Sequence, residues 1–136
     1  MKRLSRMPAV LLFLLAIAGC GSNRQLQSMS LNPASADARN FPNGHVAFIA
    51  TGTFSNPPST VNLTSKDVFW CVGSSNGACV GNANPGANLD QSGVAQCNPG
   101  FVGTAIILAG TQSSVMVNPD QGPRLKIFGT AQLTCP

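Results

Sequence analysis

The chain has 136 residues, enough for one domain. Only 9 % of them are charged and neither Glu nor Tyr occurs, which excludes a coiled coil or a long-helix protein, since those need Glu, Lys and Arg in bulk. The formal charge of +4 owes much to Lys2, Arg3 and Arg6; beyond them five basic residues (Arg24, Arg39, Lys66, Arg124, Lys126) stand against four aspartates, so no basic patch remains for nucleic acid.

Residues 1–20 read MKRLSRMPAVLLFLLAIAGC: three cations, an apolar run from Ala9 to Ala18, then small residues. That is the order of regions in a secretory signal. The apolar run is about ten residues, against the roughly 20 that a transmembrane helix needs. The segment closes on Ile17-Ala18-Gly19-Cys20, which resembles a bacterial lipobox. A thiol accepts a diacylglyceryl group as a thioether, and the small residues before it let the backbone enter a peptidase groove. The resemblance implies that 1–19 is a lipoprotein signal peptide, that Cys20 becomes the lipidated first residue, and that 20–25 is a short polar tether. It makes a membrane, reached through the lipid at Cys20, the first expected partner. It also places the protein in the cell envelope, with the outer membrane favoured because Gly21, not Asp, follows the Cys. An ordinary cleaved signal with an incidental Cys is the plain alternative.

After the tether no stretch keeps a helical period, and 14 glycines and 10 prolines punctuate short runs rich in Val, Ile, Phe and Thr. That pattern is all-β, a sandwich or barrel of many short strands. Gln25 to Asn32 alternates, with Leu26, Ser28 and Ser30 on one side and Met29 and Leu31 on the other; Pro33 ends it. His45 to Phe54 places Val46, Phe48 and Ala50 on one face, and Ser55-Asn56-Pro57-Pro58 breaks the run. Lys66 to Val72 reads as a strand with Val68 and Trp70 facing one way. Gly73 to Gly93 reads largely as loop, with a short return through Cys79 and Val80. Gly93 to Cys97 is a short strand, and Gly103 to Ala109 is apolar on both faces, as a central strand would be. Gly110 to Pro123 reads as a long polar connection before a last strand from Arg124 to Cys135. The total is about seven strands in roughly 110 residues.

Four cysteines remain beyond Cys20, namely Cys71, Cys79, Cys97 and Cys135. An even number in an exported chain reads as disulfides. The gaps of seven, seventeen and thirty-seven residues do not suit zinc, whose structural sites use close Cys pairs. Asn76-Gly77 is a hairpin turn signal between Cys71 and Cys79, so that bond is favoured, leaving Cys97 with Cys135. Pairing of Cys71 with Cys97 or with Cys135 stays open as the alternative.

Several ordered motifs resemble a bacterial immunoglobulin-like domain of group 2, the Big-2 type. They are LQSMSLNPAS (26–35), FPNGHVAFIATGTFSNPPSTVNLT (41–64), VFW (68–70), LDQSGVAQC (89–97), GTAIILAG (103–110) and GTAQLT (129–134). The likeness covers 26–135 and implies an immunoglobulin-like antiparallel β-sandwich over 26–136, with two sheets about 10 Å apart. The core would gather Val46, Phe48, Trp70, Ile107 and Leu133, with Phe41 and Phe54 capping the ends. The four Cys and the long segment after Trp70 depart from the family pattern, so the fold carries over better than any binding surface.

Chemistry is sparse. Catalysis by acid and base needs positioned titratable groups. His45 alternates with the apolar face of its strand and should point to solvent, while Asp37, Asp67, Asp90 and Asp120 are far apart in sequence. Ser113 and Ser114 lie in a polar loop without a nucleophile elbow. Asp90 and Asp120 sit in turns and lack the clustered acidic ligands of a calcium site. The expectation is a non-enzymatic envelope lipoprotein with no cofactor and no metal. It would display its domain for adhesion, protein interaction or a structural role; a tethered carbohydrate-binding module is the alternative. Loops 73–93 and 110–123 are the expected places for recognition of a protein or glycan partner.

Overall fold

The computed structural model describes residues 24–80, 86–112 and 121–136. Its strands are β1 (Leu26–Asn32), β2 (Ser35–Asp37), β3 (His45–Ala47), β4 (Ile49–Phe54), β5 (Thr60–Asn62) and β6 (Phe69–Gly73). They continue with β7 (Ala78–Val80), β8 (Ala87–Leu89), β9 (Val94–Cys97), β10 (Gly103–Gln112) and β11 (Gln121–Cys135). Two 3-10 turns, Ala38–Asn40 and Pro42–Gly44, separate β2 from β3.

The chain is an all-β sandwich with an immunoglobulin-like strand order. One layer holds β1 against β4, β4 against β5, and β3 against β9 and β8. β3 and β4 are two halves of one strand that keeps its alternation through Phe48, whose N–H donates to the Gly93 carbonyl at 2.8 Å. The other layer runs β2, β11, β10, β6, with β2 parallel to β11 and the rest antiparallel. The first strand therefore serves both layers: β1 pairs in one, and after Pro33 β2 crosses to the other.

Alternation decides what faces inward. Val46, Ala50, Ile107 and Leu133 are fully enclosed, and Phe48 and Trp70 are nearly so. Leu26 departs from the sequence reading. A bulge between Leu26 and Ser28 turns Leu26 onto the same side as Met29 and Leu31, so it packs against the core.

Both faces of β10 are covered, for different reasons. Ala105, Ile107 and Ala109 look into the sandwich. Leu108 looks outward and is still completely buried, in a second cluster with Cys79 and Leu125 that Phe69, Cys71, Ile106 and Phe128 complete. The cover comes from β11, which pairs with β10 along its length and reaches β7 at Gln121–Val80 and Arg124–Ala78. Since β7 pairs with β6 and β6 with β10, these four strands close a circuit around the outer cluster. Gly77, at φ +82, sits with the Phe128 ring where a Cβ would stand, so only glycine fits that turn.

Three sequence expectations are corrected. The strand expected from Lys66 starts at Phe69, because Asp67 folds Thr64–Asp67 into a turn by accepting from the Thr64 N–H and hydroxyl. The segment read as loop up to Gly93 contains β8, which three residues were too few to betray. β10 runs on to Gln112 and β11 begins at Gln121, so the Gly110–Pro123 connection is largely shorter than expected; residues 113–120 lie outside the described ones.

Candidate functional site

The registers give the sandwich two ends. At the near end β1 begins, with Leu26 opposite Phe54, and the 55–59 segment joins β4 to β5. At the far end stand the two 3-10 turns, the start of β3 and β10, and the close of β9 and β11. The Cys97–Cys135 disulfide bridges the two layers at this far end, and Cys71–Cys79 ties β6 to β7 on the outer cluster. Cys20 lies outside the described residues.

Each described aspartate is committed to its own turn. Asp37 Oδ1 accepts from the Arg39 backbone N–H at 2.9 Å and meets the Arg39 guanidinium at 3.3 Å, and the backbone bond above all holds its pKa below the ordinary value. The Thr64 N–H, followed by the Thr64 hydroxyl, lowers Asp67 in the same way. Asp90 Oδ1 accepts from the Ser92 hydroxyl at 2.6 Å, the Ser92 N–H at 2.8 Å and the Val94 N–H at 3.0 Å; the Ser92 hydroxyl is the chief cause of its lowered pKa. A carboxylate so stabilised in its charged form is a weak proton acceptor.

His45 is exposed at the start of β3 and shares a shallow groove of about 330 Å³ with Asn88, Leu89, Asp90, Val94 and Gln96. The registers align His45, Gln96 and Asn88 in one row across β3, β9 and β8. Among the described residues no ion pair joins His45 to Asp90, and no group of three metal-ligating side chains forms. A second groove, about 310 Å³, opens at the far end between Arg39, Phe41, Asn43, Gln96, Cys97 and Pro136. Ser113, Ser114 and Asp120 lie outside the described residues.

The strands β1, β4 and β5 carry no charged residue. Ser28, Thr53 and Thr60 form one cross-strand row, and Ser30, Thr51 and Asn62 the next, with Thr51 Oγ1 donating to Asn62 Oδ1 at 3.1 Å. No charged side chain stands in either row.

Trp70 is 4 % exposed, so its ring is core and offers no stacking platform. Its backbone reveals a residue that sequence reading overlooked. The Trp70 N–H donates to Gln91 Oε1 at 3.2 Å, and Gln91 Nε2 donates to the Trp70 carbonyl at 3.0 Å. One amide side chain thus does for the free edge of β6 what a neighbouring strand would do. The Asp90–Gly93 turn presents it: Gly93, at φ +87, lies where a Cβ would meet the Phe48 carbonyl at 2.6 Å and the Trp70 ring at 2.8 Å. In sequence Gln91 is only a polar turn residue, and its one signal is its place directly after the capping Asp90.

Among the described residues no helix is long and apolar enough to cross a membrane. In comparisons with known proteins no family model matches the chain, and no curated protein matches it.

Proposed function

We propose that this chain is a non-enzymatic lipoprotein of the bacterial cell envelope, held by a lipid on Cys20, that displays one Big-2-like immunoglobulin-like domain for adhesion, protein interaction or an envelope-structural role. The observation that carries the reading is the union of a lipobox-like Ile17-Ala18-Gly19-Cys20 with a sandwich whose described carboxylates all serve their own turns. An immunoglobulin-like sandwich implies no activity by itself, so function must lie in what its surfaces touch. The outer membrane is the favoured address, since Gly21 follows the Cys. Labelling cells with a fatty acid tests the anchor: the wild-type chain incorporates it and Cys20→Ala does not. Trypsin shaving of intact cells, with a periplasmic control, separates display on the surface from a periplasm-facing orientation.

A second reading, a tethered carbohydrate-binding module, is favoured by the neutral hydroxyl and amide rows on β1, β4 and β5, since such groups can donate to and accept from sugar hydroxyls. Against it stands the burial of Trp70, the only Trp of the chain. A glycan-array signal that disappears on Thr51→Ala/Thr53→Ala substitution would favour it over the first reading.

A further inference from the structure

We infer that the sandwich docks end-on against the phospholipid headgroups through the corner formed by Arg24, Phe54 and Pro58, with its far end turned away from the bilayer. The inference rests on the lipid anchor proposed above. Its first support is the length of the tether. The domain is already tied down at Arg24, whose guanidinium stands 4.1 Å over the Phe54 ring and donates to the Pro58 carbonyl at 2.6 Å. Next to it Gln25 and Ser55 exchange hydrogen bonds: the Gln25 N–H to Ser55 Oγ at 3.2 Å and the Ser55 N–H to the Gln25 carbonyl at 3.0 Å. From Cys20 to Arg24 the chain advances four residues, which span at most about 14 Å when fully extended.

The second support is the length of the domain. The strand from His45 to Phe54 separates the far end from the near end by about 30 Å at the ordinary rise per residue. A tether of less than half that reach cannot hold the domain inverted, with its far end on the bilayer that holds Cys20 and its near end about 30 Å above it. The third is charge. Arg24 is exposed at the corner nearest the anchor, and its guanidinium has further donors that suit a lipid phosphate. The broad face of β1, β4 and β5 carries no charge to draw it down onto headgroups. The consequence is an inversion of the usual arrangement. The end at which many immunoglobulin sandwiches carry recognition loops faces the membrane here. The 38–44 turns, the 98–102 segment with Val102 at 76 % exposure, and the disulfide at Cys97–Cys135 face outward.

The test uses the mature, lipidated full chain in nanodiscs of phosphatidylethanolamine and phosphatidylglycerol doped with a gadolinium-chelate headgroup lipid. Intact mass first establishes the acyl chains on Cys20; an unmodified Cys20 overturns the anchor itself and the inference with it. With the lipid present, amide relaxation enhancement is expected to be several-fold larger at Phe54, Ser55 and Asn56 than at Gly100, Phe101 and Val102. Equal enhancement at the two ends, or the reverse order, overturns the end-on docking and leaves the anchor standing. Inserting about twenty Gly/Ser residues after Ser22 raises the tether's mean span to roughly 27 Å and is expected to weaken the gradient without erasing it, because the Arg24 corner still meets headgroups. A gradient lost outright on insertion shows tethering without docking and overturns the inference.

Discussion

Replacing Gln91 by Ala tests whether one side chain closes the edge of the Trp70 strand. The structure supplies two hydrogen bonds from that amide, at 3.2 and 3.0 Å, to the N–H and C=O of a residue that is 4 % exposed. At about 1 kcal/mol net for each bond, Gln91→Ala costs about 2 kcal/mol. For a domain of roughly 110 residues that lowers Tm by about 8 °C. Urea unfolding followed by fluorescence measures it directly, because Trp70 is the only tryptophan and reports its own surroundings. Gln91→Glu sharpens the argument. An ionised carboxylate still accepts from the Trp70 N–H but presents no donor to the Trp70 carbonyl, whereas the protonated acid supplies both. Folding therefore favours the protonated form and raises the carboxyl's pKa above its unfolded value. The stability this restores is complete below the unfolded pKa and is lost as pH rises through the folded one. Relative to wild type at each pH, Gln91→Glu should thus be closer to normal near about pH 4 than near about pH 8. An Ala variant within about 0.5 kcal/mol of wild type, or a Glu variant whose deficit does not change with pH, would refute the strand-mimic argument.

Three further expectations follow from the same structure. Cys97 and Cys135 are 38 positions apart in sequence and Cys71 and Cys79 are 8, so on chain entropy the paired Ala variants should cost about 4 and about 2.5 kcal/mol respectively, measured by urea unfolding. Gly93 and Gly100 share a left-handed backbone, but a Cβ at Gly93 strikes the Phe48 carbonyl and the Trp70 ring while one at Gly100 meets nothing within 4 Å. Gly100→Ala should therefore cost only the backbone strain of about 1 kcal/mol, and Gly93→Ala clearly more, by thermal unfolding. Because Asp90 is held below its ordinary pKa, chiefly by the Ser92 hydroxyl, its contribution is present above the unfolded carboxylate pKa and lost as pH falls through the folded one. Acid titration of Asp90→Asn should show lower stability at neutral pH and a shallower acid slope than wild type.

What could be read from residues alone was local. Alternation over His45–Phe54 orients Val46, Phe48 and Ala50 because successive side chains of a strand leave on opposite faces whatever the partner. Asn76-Gly77 marks the hairpin between Cys71 and Cys79 because the turn needs a positive φ, and Gly77 has it. The Asp90-Gln91-Ser92-Gly93 turn is legible for the same reason, a short carboxylate and a glycine meeting the needs of the backbone beside them. Arrangements that depend on distant chain escaped. β2 is three residues whose only claim to be a strand is the parallel edge of β11, and β8 likewise exists because β9 lies beside it. Leu108 could be seen to be apolar, but not that β11 would curl to β7 and bury it outside the main core. Gln91 belongs with these, since the groups it satisfies lie 21 residues earlier. Periodicity and turn chemistry act between neighbours and are written in the order of residues. The pairing of strand edges is a competition among distant segments, and only the folded sandwich decides it.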